Sequence, residues 1–278
     1  MKCDFLLFNG ISLQIASAAN GDSAYPTGRL QKGLVLVCEG QDLSEEAVGF
    51  GVPILKRGLQ TIFPGEVELY PDKSGSPGKF TARYKLNLEE KIGRKDTGTI
   101  NSRLVYATKN GLAALIRHQP IVRKLLTATS NLLRSTFSLK TSYEPDGFFT
   151  YVSLTYSLDA AAGTVLVELM GQEIIPDHIS EIIIMNEQGA HHFDRYQEAE
   201  GVSTAADKIG CWDEVTSAIA TFISTRQKVS FSLPQVHGTK LFRGRELIGT
   251  RLAWSGFGYT FPPNLDNFKY VITLKRLP

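Results

Sequence analysis

The sequence is poor in cysteine, with only Cys3, Cys38 and Cys211 among its 278 residues. Because they are scattered and odd in number, they exclude a disulfide-stapled scaffold and a cysteine-based zinc site, and they are typical of a reducing compartment. No apolar run approaches the length of about 18 residues that a membrane-spanning helix requires. The first residues include an acidic side chain, Asp4, and too short an apolar run for a signal peptide. A cytoplasmic protein is therefore expected.

The signature motifs of several enzyme classes are also missing. The sequence has no Gly-X4-Gly-Lys-Ser/Thr loop, no Gly-X-Ser-X-Gly elbow and no His-Glu-X-X-His pair. These absences argue against P-loop enzymes, α/β-hydrolases and zincins. They leave open an enzyme whose active residues come from separate strands, so the catalytic residues stay unassigned. No motif implies a cofactor.

Charge of one sign is not in excess overall, since the formal net charge is only +2. This balance gives no overall attraction to nucleic acid or to a membrane surface. The charges are nevertheless segregated, because residues 79–140 carry a net charge of +10 and residues 141–215 one of −12. Either a basic surface faces an anionic partner, or basic and acidic strands lie side by side and neutralise each other.

Alternation of apolar and polar side chains is the dominant pattern in the sequence. In residues 79–88 every second side chain is apolar and those between are mostly basic or polar, as in a half-buried strand. The same period recurs in residues 148–158, 229–233 and 268–274. Strands buried on both faces are predicted for the continuous apolar runs at 34–37, 165–170 and 182–185. We therefore expect a mainly β protein, a large antiparallel β-sandwich forming one domain over residues 1–278.

One segment has helical instead of strand periodicity. After Pro120, apolar residues recur at helical spacing and predict an amphipathic helix over residues 121–134. Arg123, Lys124 and Arg134 fall on its opposite side. Such a helix either covers the edge of a sheet or binds a membrane surface or polyanion.

The segment from Gly189 to Glu198 has the densest set of reactive side chains, including His191, His192 and Arg195. It follows a predicted strand and therefore lies at the end of a sheet, where loops carry function. Two imidazoles could share acid and base roles or serve a metal-dependent enzyme, although no metal site is assigned. Neighbouring side chains on an extended chain point to opposite sides, so both histidines act together only where the loop bends. The alternative is a solvated loop.

An aromatic stretch near the C-terminus provides the second set of candidates. Trp254 is followed by Phe257, Tyr259 and Phe261, and arginines precede them. Aromatic rings beside guanidinium groups suit a sugar or an acidic glycan, although a core-facing strand would have the same composition. The candidate ligand-binding residues from both segments are His191, His192, Arg195, Arg245, Arg251, Trp254 and Tyr259.

Residues 49–55 (Gly-Phe-Gly-Val-Pro-Ile-Leu) and 60–65 (Gln-Thr-Ile-Phe-Pro-Gly) resemble an early segment of the galactose mutarotase-like superfamily, which includes aldose epimerases. The resemblance implies a β-supersandwich with a sugar-binding face. The histidine motifs of the epimerases are absent, so no catalytic residue is carried over. We expect a carbohydrate-binding or carbohydrate-modifying protein; the alternative is a non-enzymatic interaction protein whose charged faces mediate assembly or bind a polyanion.

Overall fold

A computed structural model describes most of the chain. The described residues are 2–8, 10–16, 33–45, 47–58, 60–72, 76, 78–94, 139–170, 178–198, 203–210, 212–248, 252–265 and 267–278. The helix expected over residues 121–134 lies outside them, as do Arg251 and Cys211. In the described residues no helix is long and apolar enough to cross a membrane.

The described chain is mainly β, as predicted. In chain order, its strands are β1 Lys2–Phe8, β2 Ile11–Ala16, β3 Val35–Cys38, β4 Gln41–Asp42, β5 Gly49–Arg57, β6 Gln60–Pro71, β7 Lys79–Arg94, β8 Leu139–Asp159, β9 Thr164–Leu169, β10 Glu181–Gly189, β11 Arg195–Glu198, β12 Ser203–Ala205, β13 Asp213–Glu214, β14 Ile219–Ser224, β15 Val229–Pro234, β16 Lys240–Ile248, β17 Leu252–Phe261 and β18 Lys269–Arg276. A short 3-10 helix, Ala206–Lys208, lies between β12 and β13.

The alternating segments form half-buried strands because one face of each lies on the core. In β7, Phe80, Ala82 and Tyr84 are buried and the residues between them are partly exposed. The continuous run in β3 is buried throughout, as expected. The run at 165–170 is an exception, because only Val165 and Val167 of β9 are buried and the prediction of burial on both faces is wrong there.

Fourteen of the described strands form one antiparallel sheet, in the order β12-β11-β14-β15-β18-β9-β8-β7-β6-β5-β10-β17-β16-β13. Its two end strands, β12 and β13, are consecutive in the chain, so the sheet must fold back on itself. Rings from the two halves meet in between: Phe222 and Phe231 lie 5.0 and 5.8 Å from Phe257. The two halves therefore enclose a common hydrophobic core.

The remaining strands, β1 to β4, form a small antiparallel sheet that packs against this core. Phe5 of β1 stacks on Phe80 of β7 at 5.1 Å, and the Leu36 amide of β3 donates to the Gln188 side chain of β10. After β4 the chain crosses the end of β10, where the Gly189 amide donates to the Leu43 carbonyl at 2.7 Å. The small sheet thereby brings residues 43–45 and 47–48 to the end of β10.

A buried polar network fixes β10 from inside the core. Tyr84 and Tyr156 hydroxyls are 3.0 Å apart, and Tyr156 donates to the Gly51 carbonyl at 2.6 Å. Asn186 accepts hydrogen bonds from the Gly51 amide and the Tyr270 hydroxyl. Gly51 has a φ of +75°, and a Cβ there would lie 2.6 Å from the Tyr156 hydroxyl, so only glycine fits. Since every member is partnered, the network holds β10 in one position.

Candidate functional site

Strand β10 presents different side chains to its two sides. Ile182 and Ile184 belong to the main core, whereas Ile183 and Met185 belong to a second cluster on the opposite side of the sheet. The side of β5, β10, β17 and β16 that points away from the main core is called the outer face below. Because side chains alternate along a strand, Glu187 also lies on the outer face.

Glycines form the floor of the outer face on β16 and β17. Gly244 and Gly256 lie side by side, and Gly256 lies beside Glu187 of β10. A Cβ on Gly258 would lie 2.1 Å from the indole of Trp212, and one on Gly244 would lie 2.7 Å from the indole of Trp254. These glycines therefore leave room for two tryptophan rings to lie against the sheet.

The two indoles are fixed by neighbouring side chains. Trp212 stacks on Phe242 with ring centroids 5.6 Å apart and an angle of 1° between the planes. The indole nitrogen of Trp254 donates to Oε2 of Glu246 at 3.2 Å. Both indoles remain partly exposed, so each has ring surface left for a ligand.

Glu187 is a buried carboxyl group beside this aromatic surface. Its Oε2 accepts a hydrogen bond from the Val48 amide at 3.3 Å. Burial raises the pKa of Glu187 to about 7, opposed by the Val48 amide and reinforced by the charge of Glu246. Glu187 therefore changes its protonation near neutral pH, so it can either donate or accept a proton.

The two adjacent histidines converge on one carboxylate at the edge of the outer face. The His192 amide donates to the Gly189 carbonyl at 3.1 Å, which closes a turn. Oε2 of Glu45 lies 2.9 Å from Nδ1 of His191, and its Oε1 lies 3.2 Å from Nε2 of His192. The loop thus bends in the way that joint action of the histidines requires. Burial lowers the pKa of His192, against the opposing effect of Glu45.

This cluster lies next to the tryptophans. The Glu45 side chain covers Gly189, where a Cβ would lie 2.7 Å from it, and Gly189 is paired with Trp254. In the described part of the chain no group of three or more His, Cys, Asp or Glu side chains is arranged to hold a metal ion. Glu45 is hydrogen-bonded to His191 and lies within ion-pair distance of His192.

The other candidate residues from the sequence lie elsewhere. The Arg195 guanidinium group donates to both the hydroxyl and the carbonyl of Ser203, at 2.8 Å each. Tyr259 belongs to the main core, where its hydroxyl donates to the Pro234 carbonyl. Arg245 donates to the Ala190 carbonyl at 3.0 Å and so holds the histidine turn from below.

The outer face thus brings together His191, His192 and Trp254 of the predicted set. Sequence reasoning missed the carboxyl groups of Glu45, Glu187 and Glu246 and the ring of Trp212. Glu187 had one signal, since it is a charged residue two positions after the continuous apolar run at 182–185. Glu45 had none, because it is 146 residues from His191 in the chain.

Two basic side chains of β7 have partners on neighbouring strands. Lys85 forms an ion pair with Glu66 of β6 at 2.8 Å, and Arg83 lies over the ring of Tyr151 on β8 at 3.8 Å. This arrangement agrees with local pairing between strands. Arg123 and Lys124 lie outside the described residues.

No family model and no curated protein matches the sequence. Among solved structures the chain is similar to the α-N-acetylgalactosaminidase NagBb of Bifidobacterium bifidum in its complex with GalNAc, with a TM-score of 0.50, 9% identity and coverage of 99% of this chain and 36% of that one. The ligand-free NagBb structure gives a TM-score of 0.46 at 8% identity, covering 100% and 36% of the two chains. The chain therefore spans about a third of the length of NagBb, and the likeness concerns the fold.

Proposed function

We propose that this protein binds a carbohydrate on its outer face, with sugar rings stacked on Trp212 and Trp254. The observation that carries the proposal is the pair of indoles lying against glycines 244 and 258 beside carboxyl groups. Sugars have apolar C–H faces that pack on aromatic rings and hydroxyl rims that carboxylates bind. Trp254 and Glu246 offer both kinds of contact on one surface, and Glu187 lies buried beside them.

Carbohydrate modification is supported by the carboxyl groups themselves. Glu187 is buried with a pKa of about 7, and Glu246 interacts with it electrostatically while accepting the hydrogen bond from Trp254. Two carboxyl groups in such different surroundings can supply an acid and a base. Binding requires only the rings and hydrogen bonds, whereas modification of the sugar also requires a group that donates or accepts a proton. Glu187 would have that role only in a carbohydrate-modifying protein.

The fold is consistent with this proposal. The similar structure of NagBb was solved with GalNAc, and NagBb is a glycosidase. Residues 49–55 and 60–65 additionally resemble the galactose mutarotase-like superfamily, so we propose a supersandwich of that kind. A cytoplasmic location remains part of the proposal.

The test is a broad glycan screen followed by calorimetry with the best ligand. Trp254→Ala and Trp212→Ala should each weaken binding about tenfold, the loss expected for a stacked ring. Phe149→Ala is the matched control, because Phe149 is an exposed ring on β8, 58% accessible and away from the outer face. Equal affinity of both tryptophan variants and the parent, with all proteins folded by circular dichroism, would contradict the proposed site.

A further inference from the structure

We infer that the sugar bound at the outer face carries no negative charge, and is therefore a neutral or an amino sugar. This inference rests on the proposed function and specifies its ligand class. It excludes uronates and sulfated or phosphorylated sugars, although the arginines near Trp254 in the sequence favour such ligands. The reason is the direction in which the charged side chains of β16 and β10 point.

The carboxyl groups point to the outer face. Glu246 accepts a hydrogen bond from Trp254, and Glu187 of β10 pairs in register with Gly256 of β17. Glu45 lies over Gly189 at the border of the same face. An anionic ligand on the tryptophans would meet up to three carboxylates above neutral pH, and like charges at an interface are strongly unfavourable.

The arginines of β16 point to the opposite side. Side chains alternate along the strand, so Gly244 and Glu246 share the outer face while Arg243 and Arg245 do not. Arg243 is bound to Glu198 at 3.0 Å and to Asp213 at 3.2 Å. Arg245 donates to the Ala190 carbonyl below the histidine turn. Neither guanidinium group is directed at a ligand on the tryptophans.

Further cations lie at the borders of the site, among them Lys56 of β5, which pairs in register with Glu181 at the start of β10 and donates to Thr61 at 2.6 Å. Lys240 is on the outer face but beyond Phe242, and it lies 4.0 Å from Glu214. Arg226 is exposed, and its charge lowers the pKa of His192, whereas the charges of Glu45 and Asp42 raise that pKa. His191 is half-exposed and lies against Glu45. Among the charged side chains that the structure describes, those beside the indoles are therefore carboxyl groups.

Carboxylates recognise hydrogen-bond donors. Sugar hydroxyl groups donate to them, and the ammonium group of an amino sugar adds a charge-assisted hydrogen bond. A ligand with hydroxyl or ammonium groups therefore complements Glu246 and Glu187, whereas a uronate carboxylate offers no donor to either when both sides are ionised.

The test compares four β-1,4-linked hexamers by calorimetry at pH 8 and low salt. The hexamers are built from mannose, glucosamine, N-acetylglucosamine and mannuronate. Those of mannose and mannuronate share linkage and configuration and differ in the carboxylate at C6. We expect the mannuronate hexamer to bind at least about tenfold more weakly than the best of the other three. Equal or tighter binding of mannuronate that is lost in Trp254→Ala would overturn the inference and leave the proposed function standing.

Two glutamate variants locate the cause of this selectivity. Glu246→Gln keeps an acceptor for the Trp254 indole and removes one charge, so the gap between mannuronate and the neutral hexamers should narrow about threefold. Glu168→Gln is the control, because Glu168 lies on β9, five strands from β10 in the sheet, and is paired in register with Lys269. An unchanged gap in Glu246→Gln contradicts the inference. If none of the four hexamers binds, the inference fails for this series, and the glycan screen decides the proposed function separately.

Discussion

At the scale of single residues, the alternation of side chains along a strand decides which aromatic rings reach the outer face. Phe257, Tyr259 and Phe261 have odd numbers and face the main core, whereas Trp254 is even and faces outward. The sequence groups all four as one aromatic stretch, but strand periodicity already separates Trp254 from the others. Trp212 could not be found in this way, because it lies just before β13 with a φ of +68° rather than within a strand.

Glu187 gives a prediction at this scale, because its pKa is raised from 4.5 to about 7 in the folded protein. Between these two pH values the folded state binds more protons than the unfolded state, so its stability falls as the pH rises through 7. Glu187→Gln is uncharged at all pH values and can still accept from the Val48 amide. We expect this variant to match the parent at pH 4 and to exceed it at pH 8 by up to about 3 kcal/mol.

Thermal or urea unfolding of both proteins at pH 4 and pH 8 provides the measurement. The difference between the two proteins is the informative quantity, since other titrating groups are common to both. Glu168→Gln serves as the control, because Glu168 is a partly exposed glutamate on β9. If the stabilities of Glu187→Gln and the parent change in parallel with pH, the pKa of Glu187 is not raised as described.

At the scale of elements, strands were predictable from sequence, while the turns that build the site were not. The alternating segments at 229–233 and 268–274 correspond to β15 and β18 within a few residues. The turn at Gly189–His192 depends on contacts from distant parts of the chain: Leu43 accepts from the Gly189 amide, and Arg245 binds the Ala190 carbonyl. No local pattern contains that information.

The contact between Glu45 and the histidine turn can be tested as one unit. In Glu45→Gln both imidazoles lose a charged partner, and the hydrogen bond between the Gly189 amide and Leu43 should open more readily. We expect exchange of the Gly189 amide to accelerate about fivefold, which corresponds to about 1 kcal/mol of local stability. Amide exchange followed by nuclear magnetic resonance measures this.

The matched control for this variant is Glu39→Gln. Glu39 also pairs with a cation, Arg276 at 3.1 Å, but its side chain is 68% exposed and it lies at the far end of β3. Exchange at Gly189 should be unaffected there. Unchanged exchange in Glu45→Gln as well would show that the carboxylate does not hold the turn.

At the scale of the whole molecule, charge segregation along the chain becomes pairing in space. Lys85 of the basic segment faces Glu66 across β6 and β7, and Lys269 pairs in register with Glu168 across β18 and β9. Sequence composition showed the segregation but could not show which strands would become neighbours. The order of the sheet supplies that information, since β9 lies between β8 and β18.

The folding back of the fourteen-stranded sheet also brings opposite ends together at Arg243. This residue of β16 binds Glu198 of β11 and Asp213 of β13, and it lies 5.0 Å from the ring of Tyr196. Burial alone would raise the pKa of Glu198, but the Tyr196 hydroxyl and Arg243 hold that pKa below its usual value. Arg243 thus links the two ends of the sheet.

Replacing this link should weaken the whole fold rather than one edge of it. In Arg243→Met, Glu198 and Asp213 lose their shared partner in a partly buried place, so we expect the free energy of unfolding to fall by about 2 kcal/mol. Arg276→Met is the control, because the exposed pair with Glu39 contributes about 1 kcal/mol at most.

Urea unfolding should be followed by tryptophan fluorescence and far-ultraviolet circular dichroism together. Because both halves of the sheet enclose one core, the two signals should shift together to lower urea in Arg243→Met. A fluorescence transition that separates from the circular dichroism transition in the parent protein would contradict a single core shared by the two halves.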